Sequence, residues 1–435
     1  MKRVKSLIKS LFPRQLRDKL LPTYHLLEAV FWHALAGFPG RNLQVIGVTG
    51  TNGKTTTTYL IHRMLLEAGY NPGLMTTVAY GVGSDISAQV HHMTNVPPRE
   101  FVRRLKLMKR RGMDWLVLET TSHALAQHRV WGVPFSVAVI TNVTHEHLEY
   151  HGTFENYREA KRQLFVRANR NRKGLRTGIV NRDDPSWQVF ADSVAHPLSY
   201  STEGKADLTA QNIQLTSSGV AYDVQIGKEN IHITANLPGS FNVANTLAAA
   251  GVGQVLGLTG TQIARGIAAL DGVEGRMTRI NEGQKYSVIV DFAHTPDSFE
   301  KLFKDLRPVV KGKLIVLFGS AGRRDTAKRA VQGRLAGTYA DIVVLTEEDD
   351  RDEDGDAILG EIASGAEQAG KVRGKNLHLV PRREEAIAFA LAQAKTKDDT
   401  VLLLGKGHEK TIERTDGEHP WNEIQTVKDA LKTSK

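Results

Sequence analysis

The chain has 435 residues, of which 41% are hydrophobic and 24% are charged. This balance is typical of a globular protein with a sizeable core, and the length suggests two to three domains. The absence of cysteine excludes disulfides, cysteine-based zinc sites and cysteine nucleophiles. No apolar run is long enough to span a bilayer, and we expect a cytoplasmic protein.

The net charge of +10 is unevenly distributed along the chain. The first 41 residues hold eight Lys/Arg and two acids, which gives this segment a charge of +6. Residues 1–42 are therefore predicted to form a basic helical arm that ends at a Pro/Gly-rich turn. Its interspersed leucines suit peripheral contact with an anionic membrane, and the alternative is a solvated helix packed on the next domain. No recognition motif accompanies the charge, so no nucleic-acid partner is expected.

Residues 43–272 are predicted to form a central α/β domain. A short apolar strand at 43–48 is followed by a Gly-containing loop and by a helix at 55–68. Further buried strands at 115–119, 136–141 and 177–181 are separated by helices, which favours a mainly parallel sheet. Period-2 alternation over 206–236 predicts a small antiparallel sheet at the edge of this domain, before helices at 241–256 and 261–270.

Residues 273–435 repeat the alternation of strand and helix. The predicted strands are 287–291, 313–318, 342–346 and 401–405. The predicted helices are 297–306, 326–339, 357–369 and 384–394. The pattern predicts a second, Rossmann-like α/β domain at the C-terminus.

The loop after the first strand has the composition of a phosphate-binding loop. Its residues are Gly50, Thr51, Asn52, Gly53, Lys54 and Thr55, followed by Thr56. Small residues let backbone N–H groups surround phosphate oxygens, Lys54 would reach the β- and γ-phosphates of ATP, and the Thr55 hydroxyl would bind Mg²⁺. The strict P-loop pattern has glycine where Val48 stands, and the alternative is a tight turn that only packs strand against helix.

This loop resembles that of the Mur ligase family, and further motifs of that family follow in order between residues 45 and 431. They include Glu119 with 120–123, Asn142 with 145–152, 156–161, 237–245, 275–277 and 291–297. The resemblance implies an ATP-binding central domain, a Rossmann-like C-terminal domain and an ATP-dependent, amide-forming ligase. A carboxylate would attack the ATP γ-phosphate to form an acyl phosphate, which an amine would then convert to an amide.

The resemblance also implies roles for single residues. Thr55, Glu119, His147 and Lys161 would hold Mg²⁺, with two ions expected and with Lys161 carbamylated. Asn242 and Asn245 would contact the nucleotide from one face of a helix, and the alternative for them is helix capping. In the C-terminal domain, Arg276, Asp291 and His294 would complete the catalytic set, with Arg276 also contacting ATP.

The substrate positions resemble those of the branch that extends a UDP-N-acetylmuramoyl dipeptide in peptidoglycan synthesis. Thr94, Thr121, Gln127 and Arg129 would hold this acceptor. Glu348, Asp349, Arg351, Gly405 and Glu409 would contact the incoming amino acid. Arg351 suits a second carboxylate, whereas the neighbouring acids favour a basic side chain, so lysine, diaminopimelate and similar amino acids stay open.

Two alternatives remain for the activity as a whole. The family also has an N-terminal domain that grips the UDP group, and the 42 residues before the first strand are too few to form it. A lipid-linked or other glutamyl acceptor is therefore an alternative, and a non-catalytic ATP-binding module is another. In each case the expected partners are small molecules, and the chain is expected to act as a monomer.

Overall fold

The computed structural model describes residues 14–89, 93–216 and 219–433, with only the backbone of 14–20 and of Glu149. It divides into two compact units. The first contains residues 14–213, Ala221–Ala235 and Val243–Leu270. The second contains Gln214–Val220, Asn236–Asn242 and residues 271–433.

The elements up to residue 270 belong mostly to the first unit. In chain order they are α1 (Arg14–Leu35), β1 (Gln44–Thr49), α2 (Lys54–Glu67), β2 (Gly73–Met75), β3 (Ala79–Val82), β4 (Asp85–Ala88), α3 (Pro98–Arg110), β5 (Trp115–Glu119), α4 (Ser122–Ala126), β6 (Phe135–Ile140), α5 (Leu148–His151), α6 (Phe154–Arg170), β7 (Thr177–Asn181), α7 (Trp187–Ala191), β8 (His196–Ser201), β9 (Leu208–Thr209), β10 (Gln211–Leu215), β11 (Val220–Ile226), β12 (Glu229–Ala235), α8 (Phe241–Val255) and α9 (Gly260–Ala268).

The elements of the second unit follow. They are β13 (Thr278–Ile280), β14 (Ser287–Asp291), α10 (Pro296–Leu306), β15 (Leu314–Phe318), α11 (Ala327–Tyr339), β16 (Ile342–Leu345), α12 (Gly355–Gln368), β17 (Leu377–Leu379), α13 (Arg383–Gln393), β18 (Thr400–Leu404), β19 (Thr411–Arg414), β20 (Gly417–Pro420) and α14 (Glu423–Thr433).

The first unit is built on a nine-stranded sheet with the order β4-β3-β2-β5-β1-β6-β7-β8-β9. Strands β2, β5, β1, β6, β7, β8 and β9, in their order across the sheet, run parallel. Strands β3 and β4 pair antiparallel at one edge. Strand β1 lies near the centre, and Val45, Ile46 and Val48 are fully buried because helices cover both faces of such a sheet. The loops that follow β1, β5, β6 and β7 therefore open at one edge, where parallel α/β sheets place their ligand sites.

The sequence predictions for this unit are largely confirmed. The strands at 115–119 and 177–181 match β5 and β7, and the other predicted strands are displaced by one residue. Strands β10, β11 and β12 form the predicted separate small sheet. The short strands β2–β4, strand β8 and helix α3 were not predicted, and residues 208–209, predicted to lie in the small sheet, instead form β9 of the large one.

The second unit has a six-stranded sheet with the order β13-β14-β18-β15-β16-β17. All its pairs are parallel except that of β13 with β14, as expected for a Rossmann-like domain. Helices α10, α11 and α12 cover one apolar cluster and helices α13 and α14 cover another. The carboxyl ends of β14, β16 and β18 again meet at one edge of the sheet.

Helix α1 packs on the first unit through one narrow stripe. His25, Ala29 and His33 recur every four residues and are buried. The His33 ring contacts Trp131 at 5.5 Å between centroids. The helix is therefore packed on the first unit. Residues 1–13 of the predicted basic arm lie outside the described residues. No helix in the described ranges is long and apolar enough to cross a membrane.

Candidate active site

A loop bounded by glycines joins β1 to α2. Gly50 has a φ of 151°, and a Cβ there would lie 1.8 Å from Thr141 Oγ1. Gly53 has a φ of 83°, and a Cβ there would lie 2.2 Å from Asn245 Oδ1. Both positions thus exclude a side chain. Helix α2 begins at Gly53 without a side-chain cap, and the N–H groups of such a first turn are suited to phosphate.

The end of β6 holds this loop in place. The backbone N–H of Thr51 donates to Asn142 O at 2.8 Å, and that of Asn52 donates to Asn142 Oδ1 at 2.9 Å. Thr141 Oγ1 donates to Asn52 O at 2.6 Å. Thr51 Oγ1 also lies 3.1 Å from the Tyr157 hydroxyl. These hydrogen bonds fix the path of the loop backbone.

The three other predicted nucleotide residues of this segment have different settings. Lys54 Nζ donates to Thr51 O at 2.7 Å, so its ammonium lies over the loop. Thr55 and Thr56 are buried in the first turn of α2. Thr55 Oγ1 donates toward both carboxylate oxygens of Glu119 at 3.1 Å, whereas no contact of this kind is seen for Thr56.

Glu119 is the central acidic group of the site. It ends β5, it is 1% exposed, and its register opposite Val48 places it beside the loop. Thr77 also donates to its carboxylate, through N–H at 3.0 Å and Oγ1 at 3.1 Å. Thr77 was not among the predicted site residues, because the strand before it, β2, has only three residues and shows no clear pattern.

Lys161 reaches the same loop from α6. Its side chain is 1% exposed, Nζ donates to Gly50 O at 2.5 Å, and the ammonium lies 4.3 Å from the Tyr157 ring centroid. Burial, reinforced by the charge of Lys54, lowers the pKa of Lys161 well below its usual value. The nearby acids Glu146 and Asp184 oppose this shift only in part. The structure thus favours a neutral amine at this position.

His147 lies in a cluster of aromatic and imidazole rings. It precedes α5 in a left-handed conformation with a φ of 57°. Its ring lies 4.7 Å from that of His123 and 6.1 Å from that of Tyr157. In the same cluster, burial is the main cause that lowers the pKa of His151 to about 4, with smaller effects from the neighbouring His147 and Lys161. His151 Nε2 lies 3.0 Å from Ser122 Oγ, so this ring is held in place as a neutral group.

The predicted acceptor residues form a connected polar network. Arg129 donates to Gln127 Oε1 at 2.5 Å and to the Asn95 carbonyl at 3.3 Å. Asn95 Oδ1 accepts from the N–H of Thr121 at 3.0 Å, and Asn95 Nδ2 donates to Glu119 O at 2.8 Å. Asn95 thus links the acceptor residues to the strand that carries Glu119. It is a second residue that the sequence analysis missed.

Thr94 lies at the other side of this network. Its Oγ1 is 2.7 Å from Thr77 Oγ1, which in turn contacts Glu119. The structure therefore brings the predicted acceptor residue Thr94 to the predicted metal residue Glu119 through a single intervening hydroxyl. A substrate carboxylate bound here would lie close to the groups that surround the phosphate loop.

The two predicted asparagines of α8 differ in their contacts. Asn245 Oδ1 accepts from Thr57 Oγ1 at 3.3 Å and lies against Gly53, beside the phosphate loop. Asn242 Nδ2 donates to Pro238 O at 2.7 Å, within its own connecting segment. Asn245 belongs to the first unit and Asn242 to the second.

In the second unit, Arg276 and His294 contact the ring of Phe292, which directly follows Asp291. The Arg276 guanidinium lies 4.6 Å from the centroid of Phe292, and the His294 ring lies 4.7 Å from it. Asp291 ends β14 and accepts from the N–H groups of Met277 and Ala293, each at 2.7 Å. Burial raises the pKa of Asp291, although Arg276 and these hydrogen bonds counteract the shift. The geometry is that of a fixed, buried carboxyl that orders the segments around Arg276.

The predicted amino-acid residues form a charged cluster after β16 and β18. Lys406 is fully buried, and its Nζ donates to Asp349 at 2.9 Å and to Glu409 at 2.6 Å. Arg351 donates to Glu413 at 2.9 Å and also to Gly322 O. Arg351 is therefore already paired with an acid of its own chain.

Glu348 and Gly405 complete this cluster. Gly405 has a φ of 100°, and a Cβ there would lie 2.7 Å from Glu348 Oε2, a carboxylate that is itself buried. Burial, with the charge of Glu347, raises the pKa of the adjacent Asp350 to about 6. Excess negative charge is thus concentrated at this edge of the sheet.

A buried ion pair that the sequence analysis missed supports the cluster. Arg383 and Glu423 both have fully buried side chains and meet at 2.6 Å. Arg383 also donates to Leu404 O at 2.8 Å and to Glu347 O at 3.0 Å. It therefore fixes the residues that immediately precede Gly405 and Glu348. The partners lie 40 positions apart, and no local pattern indicates the pair.

Comparison with known proteins identifies related chains over almost the whole length. Residues 48–253 match the sequence profile of the Mur ligase middle domain, and residues 275–407 match that of the Mur ligase, glutamate ligase domain. A UDP-N-acetylmuramyl-tripeptide synthetase of Roseiflexus sp. is 41% identical, over 94% of this chain and 83% of the relative. A UDP-N-acetylmuramoyl-L-alanyl-D-glutamate–2,6-diaminopimelate ligase of Geobacillus thermodenitrificans is 38% identical, over 90% and 79% respectively. A solved structure of a ligase with the latter name superposes with a TM-score of 0.64 at 28% identity, over 94% of this chain and 82% of the other.

Proposed function

Because the chain belongs to the Mur ligase family of ATP-dependent amide ligases, we propose that it joins an amino acid to a UDP-N-acetylmuramoyl dipeptide. ATP and the two substrates would yield ADP, phosphate and the muramoyl tripeptide. The proposal rests above all on the convergence of Glu119 and Lys161 on the phosphate loop. An amide-forming ligase needs a phosphate site and a charge-neutralising site in contact with each other.

The nucleotide phosphates would bind at the start of α2. The residues proposed to contact them are Gly50, Thr51, Asn52, Gly53, Lys54, Thr55 and Thr56. Lys54 would leave the carbonyl of Thr51 and donate to the transferred phosphoryl group. Asn245, beside Gly53, would contact the nucleotide from α8, and we assign the same ligand to Asn242 and Arg276.

The groups around Glu119 fit a magnesium ion. A carboxylate and a hydroxyl, those of Glu119 and Thr55, are oxygen donors of the kind that Mg²⁺ prefers. Among the described residues, no three His, Cys, Asp or Glu side chains converge as a metal site. The remaining ligands would thus be His147, substrate oxygens and a modified Lys161, with two ions in all. Bound Mg²⁺ would neutralise charge on the transferred phosphoryl group.

Lys161 would act as a carbamate. Carbon dioxide is attacked by a neutral amine, and burial favours the neutral form of Lys161. The resulting carbamate carries a negative charge, which removes the repulsion between an ammonium and a bound cation. The same carbamate would supply oxygen donors beside Glu119.

The chemical step would use preformed charge and positioning. A carboxylate of the acceptor attacks the γ-phosphorus, the bond to the ADP oxygen breaks, and an acyl phosphate forms. The amine of the amino acid then attacks the acyl carbon, phosphate leaves, and the amine loses a proton. Lys54 and Arg276 would stabilise the phosphoryl charge, while Asp291 and His294 would hold the segment around Arg276.

The acceptor would bind along the network that contains Asn95. Thr94, Thr121, Gln127 and Arg129 present hydroxyl, amide and guanidinium groups along one connected path to Glu119. Arg129 is the group suited to a carboxylate or phosphate of the acceptor.

The amino acid would bind at the acidic cluster of the second unit, and we propose that lysine is preferred to diaminopimelate. Glu348, Asp349 and Glu409 contribute three acids there, and Gly405 leaves room beside Glu348. Arg351 is paired with Glu413, so a second substrate carboxylate would have to displace that acid. Asp349 and Glu409 are paired with Lys406, so a substrate ammonium group would bind at Glu348, the acid beside Gly405.

The remaining features of the proposal concern the protein in the cell. We propose that the chain works in the cytoplasm, where ATP is available, and that it acts as a monomer. Its partners would be small molecules, and residues 1–42 would make peripheral contact with a membrane.

Phosphate release from ATP tests the proposal directly. The chain is supplied with Mg²⁺, UDP-N-acetylmuramoyl-alanyl-glutamate and either lysine, diaminopimelate or ornithine. Release is expected to require both the acceptor and one amino acid, with lysine best. The variant Lys54→Met should abolish it, whereas the exposed control Lys375→Met should leave it unchanged.

The amino-acid preference has its own test. Glu413→Gln removes the acid that pairs with Arg351, so use of diaminopimelate relative to lysine should increase. Turnover with a lipid-linked acceptor but none with the UDP-linked one would refute the proposed substrate. ATP hydrolysis that is independent of any acceptor would refute the ligase reaction.

A further inference from the structure

Helix α1 exposes an apolar face. Leu27, Phe31 and Leu35 recur every four residues, and they are 64%, 53% and 67% exposed. We name these three residues the apolar stripe. Soluble proteins rarely leave a row of large apolar side chains in water unless it contacts a partner or a membrane.

The charges near this stripe are almost all positive. Between residues 20 and 40 the sequence has no Lys or Arg and a single acid, Glu28, while the first 19 residues carry seven cations and one acid. An apolar stripe next to a basic segment is the arrangement by which interfacial helices bind anionic lipid.

A second helix, α3, adds a row of cations. Arg99, Arg103, Lys106 and Arg110 are exposed and follow the three- and four-residue spacing of one helical face. We name these four residues the cationic stripe. Helix α3 as a whole carries six basic residues and one acid, Glu100, which pairs with Arg103 at 2.7 Å.

Trp32 of α1 connects the two stripes. The Arg99 guanidinium lies 5.3 Å from the centroid of the Trp32 ring, and that ring lies 5.2 Å from the ring of Phe31. Helices α1 and α3 thus place apolar groups beside cations on one continuous stretch of the first unit. None of these residues belongs to the proposed active site.

We infer that the apolar stripe of α1 and the cationic stripe of α3 form a docking surface for an anionic phospholipid bilayer. The aliphatic and aromatic side chains would enter the interfacial region, and the cations would lie at the level of the lipid phosphates. Opposite charge favours lipid over a second copy of this basic chain, because two copies would bring their cations together. This surface rests on and extends the membrane contact proposed for residues 1–42, and docking is independent of the ligase reaction.

Sedimentation of the full chain with vesicles tests this surface. Vesicles of phosphatidylglycerol and phosphatidylcholine should bind the protein at low salt, and pure phosphatidylcholine should not. Replacing all of Leu27, Phe31 and Leu35 by Gln should weaken binding at least tenfold. The matched control is Val372→Gln, which changes an equally exposed apolar residue of the second unit and should have no effect.

The cations are tested in the same assay. Replacing the four residues of the cationic stripe by Gln should weaken binding roughly 600-fold, because each cation near an anionic surface contributes a factor of about five. The control replaces four exposed lysines elsewhere, Lys375, Lys395, Lys397 and Lys432, and should weaken binding far less. ATP-dependent phosphate release by every variant reports that the fold is intact.

Two results would overturn the inference. One is equal loss of vesicle binding in the stripe variants and in their controls, which would leave only non-specific attraction by net charge. The other is self-association that the apolar-stripe variant abolishes, together with no binding to anionic vesicles. That result would make the stripe a contact between copies of this chain.

Discussion

The buried pair of Arg383 and Glu423 should make the second unit unusually sensitive to one isosteric change. Glu423→Gln keeps the shape of the side chain but removes the charge that faces Arg383. Glu423 accepts from Arg383 Nε and Nη2 and from Trp421 Nε1, and its amide form cannot accept from all three donors. Burial alone would lower the pKa of Arg383, whereas Glu423, Glu348 and Glu347 raise it above the usual value. An arginine side chain stays protonated in proteins even when its partner is removed, so the cation persists in the variant.

The expected loss follows from that uncompensated cation. Removing one partner of a buried pair costs about 3–5 kcal/mol, since the other charge remains away from water. The two carbonyl acceptors of Arg383, those of Leu404 and Glu347, do not replace a counter-charge. We therefore expect the free energy of unfolding of the second unit to fall by about 3–5 kcal/mol.

Native-state hydrogen exchange resolves the loss by unit. Amides of β18 should exchange with a lower opening free energy, while those of β1 in the first unit should be unaffected. The control Glu384→Gln changes a half-exposed acid on the neighbouring turn and should cost at most about 1 kcal/mol. A loss in Glu423→Gln as small as in this control would refute the argument that the pair anchors the segments before Glu348 and Gly405.

Three further outcomes are expected. Burial lowers the pKa of His62 to about 4, so protonation of this residue in the unfolded chain should destabilise the fold as pH falls from about 6.5 to 4, by about 2.5 kcal/mol at pH 4.5. In urea unfolding, His62→Gln should lack this loss of stability at low pH. The control His196→Gln, at an exposed position, should retain it. Gly53→Ala should abolish ATP-dependent turnover, because the added Cβ would clash with Asn245. The control Gly360→Ala, in open space on α12, should leave turnover unchanged. Full activity of Gly53→Ala would contradict the loop geometry. Asn95→Ala should raise the KM for the muramoyl acceptor about tenfold, because it removes at least two hydrogen bonds of the polar network formed by the proposed acceptor residues. The KM for ATP should stay unchanged. Equal changes in both KM values would indicate general misfolding.

The sequence predicted best those features that depend on local periodicity. Buried parallel strands such as β5 are uniform apolar runs, so Glu119 could be placed at a strand end and next to a loop of known chemistry. The same reasoning placed Asp291 at the end of β14. Helix α3 was not predicted, because its many cations indicate a solvated segment. Phe101 and Leu105 on its other face are nevertheless buried.

Interactions between distant segments could not be predicted in this way. Thr77 and Asn95 gain their importance only when β2 and β5 pair, and three-residue strands carry no clear period. The pairing of Arg351 with Glu413 likewise depends on the β19 hairpin, and it changes what the sequence alone indicates about the preferred amino acid. Side-chain partners are set by tertiary contacts, for which propensity gives no information.

The order of residues in the first unit has a consequence for its synthesis. Helix α2 is buried through Leu60, Ile61 and Met64, and α9 covers it so closely that a Cβ on Gly266 would lie 2.5 Å from Met64 Cα. When the ribosome has synthesised the chain only as far as β9, the phosphate loop and α2 are already present, but α9, which covers α2, is not. Until residues 243–270 have left the exit tunnel, the apolar surface of α2 behind the phosphate loop therefore stays exposed and can bind chaperones.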